Sequence, residues 1–276
     1  MNDFTFEDAM EIGEFVQEVT VTEYNNDSNK IDYCQTKNGN AIYPLEQSYM
    51  KLDNSDKVLA FLWEASETIN NDGLFITRVS KKAASLNKIS ANCVYTVTSK
   101  SKVNGEWIYS TSDEKNVSKT QVKKILDNLK AVGILKEDDI YYYLDVDFER
   151  LNKYGYSIVD DNTSKFLSGL NLKDTLKVYT YLLFRFRKFN NFTFTKKNLA
   201  ELLGYKINKQ GKIEMAVSIR LGDMLYLLNK LELIDVDILY KNNPETGHKY
   251  QYFVLKNVSK YNPDDNKFNM KKATKY

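Results

Sequence analysis

Apolar positions along the chain alternate between two periods. Over residues 56–70, Val58, Leu59, Leu62, Trp63 and Ile69 recur at helical spacing behind possible caps in Asp53-Asn54-Ser55. Asn71-Asp72-Gly73 breaks that pattern, residues 74–77 predict a short strand, and 78–88 (with Ala83, Ala84 and Leu86) predict a second helix. Residues 92–112 alternate, with Val94, Tyr95, Val97 and then Trp107, Ile108, Tyr109 on either side of Asn104-Gly105, which predicts a β-hairpin. Residues 118–132 return to helical spacing, with Val122, Leu126 and Leu129 on one face, Ser118 as cap and Gly133 as stop. Ile140, Tyr142, Leu144 and Val146 then alternate within 136–146, as in a pair of short strands.

The second half repeats this order. Residues 172–189 predict a strongly apolar helix through Leu176, Val178, Tyr179, Leu182, Leu183 and Phe186. A short strand at 192–195, a helix at 196–203 ending at Gly204, a long helix at 212–231 and a hairpin at 236–255 follow. Lys57-Val58-Leu59-Ala60-Phe61-Leu62 aligns with Lys177-Val178-Tyr179-Thr180-Tyr181-Leu182, and Leu129, Val132 and Ile134 align with Leu228, Leu231 and Leu233. The hairpin at 92–112 has no counterpart in the second copy. Earlier, 18–24 and 30–43 read as strands around an Asn38-Gly39 turn. The polar stretch 150–170 reads as a linker and 259–276 as a basic, mobile tail.

The order helix, strand, helix, helix, hairpin resembles a winged-helix domain, here in tandem. The expected fold class is α+β, mostly helical: an N-terminal strand-rich extension at 1–51, winged-helix domain 1 at 52–149 with the extra hairpin inserted, a linker at 150–170, domain 2 at 171–258 and the tail at 259–276. In size and layout the chain is similar to replication initiators of plasmids and phages of low-GC bacteria. The best local match is Val117-Ser118, Val122, Leu126, Leu129 and Gly133-Ile134. That pattern is shared with winged-helix transcription regulators, so it marks DNA binding better than replication.

Charge then decides where DNA contact is expected. The chain has 276 residues, 42% hydrophobic and 28% charged, with a net charge of +2. Contact with a polyanion must therefore come from local clusters, not from the whole field. In the first copy, Ser118, Lys119, Thr120, Gln121, Lys123 and Lys124 populate the start of the third helix, where side chains can reach phosphates and base edges in a major groove. In the second copy, Lys209, Gln210, Lys212, Ser218 and Arg220 take that role, with Lys241, His248 and Lys249 as wing contacts. Tyr141-Tyr142-Tyr143 offers rings for base stacking, or for the core side of an alternating strand. Arg185 and Arg187 are candidates for backbone contact, for a partner domain, or for pairing with an acid such as Glu201.

Other chemistry has little support. A single histidine, His248, rules out a multi-histidine metal or relaxase centre. No Gly-x-x-x-x-Gly-Lys-Ser/Thr tract is present, so no phosphate-cradling loop is expected. The five arginines are scattered, unlike a tyrosine recombinase, and the pairs Asp138-Asp139 and Asp160-Asp161 sit in turn-like contexts. No enzyme activity and no cofactor are expected. The two cysteines, Cys34 and Cys93, read as reduced thiols. With no signal peptide and no membrane-length apolar run, a cytoplasmic protein is expected. Double-stranded DNA is the expected partner, host replication proteins are those an initiator would recruit, and a homodimer is compatible. Two rivals stand beside the initiator: a transcriptional or plasmid-maintenance regulator, and a structural module that binds only protein.

Overall fold

A computed structural model describes residues 40–71, 74–103, 106–144, 151, 153–170, 173–189, 192–242 and 249–262. The strand expected at 18–24, Cys34, His248 and the tail from 263 onward lie outside these residues. Among the described residues the protein is α+β, with eight helices and four small antiparallel sheets. Strands occupy nearly as many residues as helices, so "mostly helical" does not hold. No helix among them is long and apolar enough to cross a membrane.

The chain opens with strand β1 (Asn40–Pro44), a short helix α1 (Gln47–Met50) and helix α2 (Ser55–Glu64). Helix α2 is buried almost all round, from Ser55 to Ala60 and again at Leu62 and Trp63, so it serves as a central element rather than a surface one. It stops at Glu64, short of the predicted Asn70, because the β-branched pair Thr68-Ile69 belongs to a strand. Strands β2 (Glu67–Asn71) and β3 (Leu74–Ser80) form a hairpin, with the Thr68 and Thr77 hydroxyls 3.1 Å apart and Arg78 paired to Glu67 at 3.0 Å. Residues 78–80, predicted helical, complete β3, and helix α3 (Leu86–Asn92) begins only at the Ser85 cap. The inserted hairpin is present as β4 (Val94–Val103) and β5 (Glu106–Asn116). Helix α4 (Lys119–Ala131) and strands β6 (Leu135–Glu137) and β7 (Tyr141–Leu144) complete the first copy. The sheet order is β2-β3-β7-β6, so β3, the strand just before the second helix, pairs with the last strand, β7.

The second copy contains helix α6 (Thr175–Lys188), strand β9 (Thr193–Phe194), helices α7 (Lys196–Leu202) and α8 (Met215–Lys230), and strands β10 (Ile234–Asn242) and β11 (Lys249–Val258). Its sheet order is β10-β11-β9, and here too the strand just before the second helix, β9, pairs with the last, β11. Like α2, α6 is buried nearly all round, from Thr175 to Leu183.

The stretch read as a linker is instead strand β8 (Tyr156–Asp160) followed by helix α5 (Asp161–Gly169). Its polar residues are structural. Asp160 caps α5 by accepting from the Thr163 amide at 2.9 Å, and the Ser157 hydroxyl donates to the Thr180 carbonyl at 2.6 Å. Each copy is thus preceded by a strand and a helix, and the two strands pair antiparallel around Ile42 and Ile158. The buried apolar residues form one continuous core spanning both halves. Gly155, at φ 85°, packs so closely on the Phe184 ring that a Cβ would fall 2.9 Å from it. The start of the expected tail is also docked: Tyr261 stacks on Phe166 at 4.0 Å, and its amide donates to Thr163.

The two central helices hold one another. Each enters through a left-handed residue, Asn54 (φ 51°) or Asp174 (φ 67°). The Lys57 ammonium donates to the Ser168 carbonyl and, at 3.0 Å, to the Leu170 carbonyl just ahead of the second copy. In return the Lys177 ammonium donates to the Leu52 carbonyl just ahead of the first. Both lysines are buried, and Lys177 also lies 3.5 Å from the buried Asp174 carboxylate. Burial pushes the Asp174 carboxyl above its ordinary range, although Lys177 pulls it back.

Candidate nucleic-acid interface

The start of α4 is fixed by the chain itself. Ser118 accepts from the Gln121 amide at 3.3 Å, and the Gln121 side chain accepts from the Ser118 amide at 3.0 Å, a complete capping box. Just before it, the Val117 amide donates to the Cys93 carbonyl at 2.9 Å and the Ser90 hydroxyl donates to the Val117 carbonyl at 2.7 Å. The root of the β4–β5 ribbon and the first turn of α4 are therefore one joined structure. Val122, Ile125, Leu126 and Leu129 bury the inner face.

The outer face is polar. Lys119, Thr120, Gln121, Lys123, Lys124 and Asp127 are exposed, and Thr120, Lys123, Lys124 and Asp127 fall on one stripe at helical spacing. Lys119, Lys123 and Lys124 make no ion pair among the described residues. Lys130, in the last turn, reaches Asp127 at 3.0 Å and Glu137 at 2.6 Å, and Glu137 also meets Lys81 at 2.9 Å. These bonds hold the Glu137 carboxyl below its ordinary range and clamp the end of α4 to β6. The free cations thus gather at the positive end of the helix dipole, where an anion is favoured.

Gln121 is placed in this cluster as expected, but its carbonyl oxygen is committed to the cap and is not presented outward as a base-reading group. The tyrosine run is also engaged. Tyr143 donates to Asp138, Arg78 lies 4.0 Å over the Tyr141 ring, and Lys81 lies 5.3 Å over the half-buried Tyr142.

The second copy differs. Lys209, Gln210 and Lys212 are exposed on a tight loop closed by the Ile207–Ile213 bridge. The Asn208 side chain accepts from the Gln210 and Lys212 amides at 3.0 and 2.8 Å, and Gly211 sits at φ 72°. Lys206, also exposed beside this loop, was not singled out by the sequence reading; its nearness to Lys209 and Lys212 in the chain was the available signal. Ser218 is half-buried. Arg220 points inward: it donates to the Tyr205 hydroxyl at 3.1 Å, which donates to the Asp174 carboxylate at 2.8 Å. Arg220 is therefore part of the packing between α8 and the start of α6, not a surface contact. Besides Ala216 and the terminal Lys230, α8 shows to solvent Met215, Ile219 and Tyr226, at 78%, 44% and 50% exposure. Lys241 is exposed late in β10, Lys249 is described only as backbone in β11, and His248 lies outside the described residues.

Arg185 does not pair with Glu201, which meets Lys197 at 3.8 Å. Its guanidinium sits 5.1–5.4 Å from the Tyr181, Phe189 and Phe192 rings. Comparison with known proteins finds no family model that matches this chain, no similar curated protein and no similar solved structure.

Proposed function

We propose that this chain binds double-stranded DNA through two winged-helix copies, with the first copy supplying the principal groove contact. The observation that carries the reading is the shared connectivity: in both copies the strand just before the second helix pairs with the last strand, and the third helix precedes the terminal hairpin. In a winged helix that third helix enters the major groove and the hairpin flanks it on the backbone. The exposed Lys119, Thr120, Lys123 and Lys124 on α4 suit that role, with the lysines on phosphates. The Lys206, Lys209 and Lys212 loop suits a second backbone contact.

Origin binding by a replication initiator is the favoured setting, on resemblance of size and layout. Footprinting on the DNA flanking the gene tests it. Protection of an array of direct repeats supports the initiator, a single protected palindrome at the promoter supports a regulator, and no duplex binding at low salt sinks both. The apolar outer face of α8 favours a second role for that copy, docking protein rather than reading DNA.

A further inference from the structure

We infer that β10 is a self-association edge, through which two copies of this chain join their second sheets into one continuous antiparallel sheet. In the order β10-β11-β9, β10 has no neighbour on its outer side among the described residues. Protein edges are normally blunted by shortness or charge. The corresponding edge of the first copy, β6, follows that rule: it is 3 residues long and exposes Lys136 and Glu137. Strand β10 is longer, and between its charges, Asp235 and Asp237 before and Lys241 after, it carries an apolar run. It runs 9 residues and exposes Ile238, Leu239 and Tyr240 in succession, at 51%, 40% and 66%. Apolar side chains are thus open on both faces of one free edge, as pairing with a further strand requires.

Charge complementarity points to a second copy as the occupant and selects the register. Two-fold antiparallel pairing centred on Leu239 sets Leu239 against its own copy and Ile238 against Tyr240 on either side. It also sets Asp237 against Lys241 at both ends, so that opposite charges bracket an apolar centre. Centring the pair one residue earlier, on Ile238, sets Asp237 against Leu239 instead, a charge against an apolar side chain. The inference does not depend on DNA binding and is tested without DNA.

Light scattering on the full chain over the micromolar range should show a concentration-dependent dimer. Lys241→Asp puts carboxylates opposite one another, Asp237→Lys puts ammonium groups opposite one another, and each should weaken the dimer about tenfold. Mixing these two variants restores opposite charges at both ends, so the mixture should form a heterodimer near wild-type affinity. Leu239→Lys, which sets two lysines face to face at the centre, should give a monomer. Asp237→Lys also loses the intrachain contact with Lys256 at 2.6 Å, so circular dichroism of each variant checks the fold, and Lys241→Asp and Leu239→Lys carry the test alone if that variant is disturbed. A wild-type chain that stays monomeric overturns the inference. So does a dimer that Lys241→Asp and Leu239→Lys leave unchanged, or a mixture of folded variants that associates no better than its components.

Discussion

Helices α4 and α8 occupy the same place in their copies, yet they turn opposite chemistry outward. Helix α4 exposes Lys119, Thr120, Lys123 and Lys124 and buries four aliphatic side chains. Helix α8 exposes Met215, Ile219 and Tyr226, and spends its arginine on an internal link to Tyr205 and Asp174. The edges of the two sheets differ in the same sense: β6 is short and exposes charges, and β10 is long with an exposed apolar run at its centre. Shared connectivity fixes where a helix or strand sits, and its outward residues decide what it meets. The outward face of α4 is basic and that of α8 is largely apolar.

The strongest way to break that comparison is to separate the copies. Lys177→Ala removes the partner of buried Asp174 and the bond to Leu52, so urea unfolding should show a loss of about 3–5 kcal/mol. Lys57→Ala removes the bonds to the Ser168 and Leu170 carbonyls, and should cost about 1–3 kcal/mol. Equal losses would mean that the two contacts are equivalent, contrary to the extra charge pair at Lys177.

Next in size is the effect on DNA. The double substitution Lys123→Ala with Lys124→Ala should weaken duplex binding for cognate and random sequence alike, and lower the slope of log affinity against log salt by about 2. Lys209→Ala with Lys212→Ala should do less. If the second pair costs more than the first, the assignment of the principal contact to the first copy is wrong.

The cap gives a smaller signal. Ser118→Ala should destabilise by about 1 kcal/mol through loss of the capping box. Gln121→Ala should lower stability without changing the ratio of cognate to random binding. A collapse of that ratio would show that Gln121 reads a base after all.

The smallest effect sharpens how far the copies move as one. Burial pushes the Cys93 thiol up to about 12, and it lies at the root of the inserted ribbon in the first copy. In a Cys34→Ser background, a thiol reagent at neutral pH should leave native Cys93 unlabelled and modify it only on global unfolding. Labelling well below the unfolding midpoint would mean that the first copy opens alone.

Much of this was legible in the chain. The cap at Ser118, the stop at Gly133, the inserted hairpin and the two apolar helices follow from local period and turn chemistry, which act over a few residues. The exposed lysines of α4, and Lys209 and Lys212, were legible too, because charge at polar positions of an amphipathic pattern stays in solvent. Other features were misread for a common reason. Residues 67–71 and 78–80 lie in strands because each has a strand partner, and pairing outweighs a short helical pattern. Residues 156–169 looked like a linker because their polar side chains resemble those of a loop, but those groups cap, bridge and pair.

By itself the sequence determined the internal repeat, the order of elements in the second copy and, β2 apart, in the first, and the polar dress of α4, since these rest on periodicity and on residues a few positions apart. Only the tertiary structure decided that Arg220 and Gln121 are held by the fold, that Lys57 and Lys177 cross between the copies, and that β1 and β8 pair. Each of those outcomes depends on which groups far apart in the chain are brought within hydrogen-bond reach. A buried ammonium or guanidinium settles where a carbonyl, hydroxyl or carboxylate can replace its lost water, and one-dimensional spacing does not specify that partner.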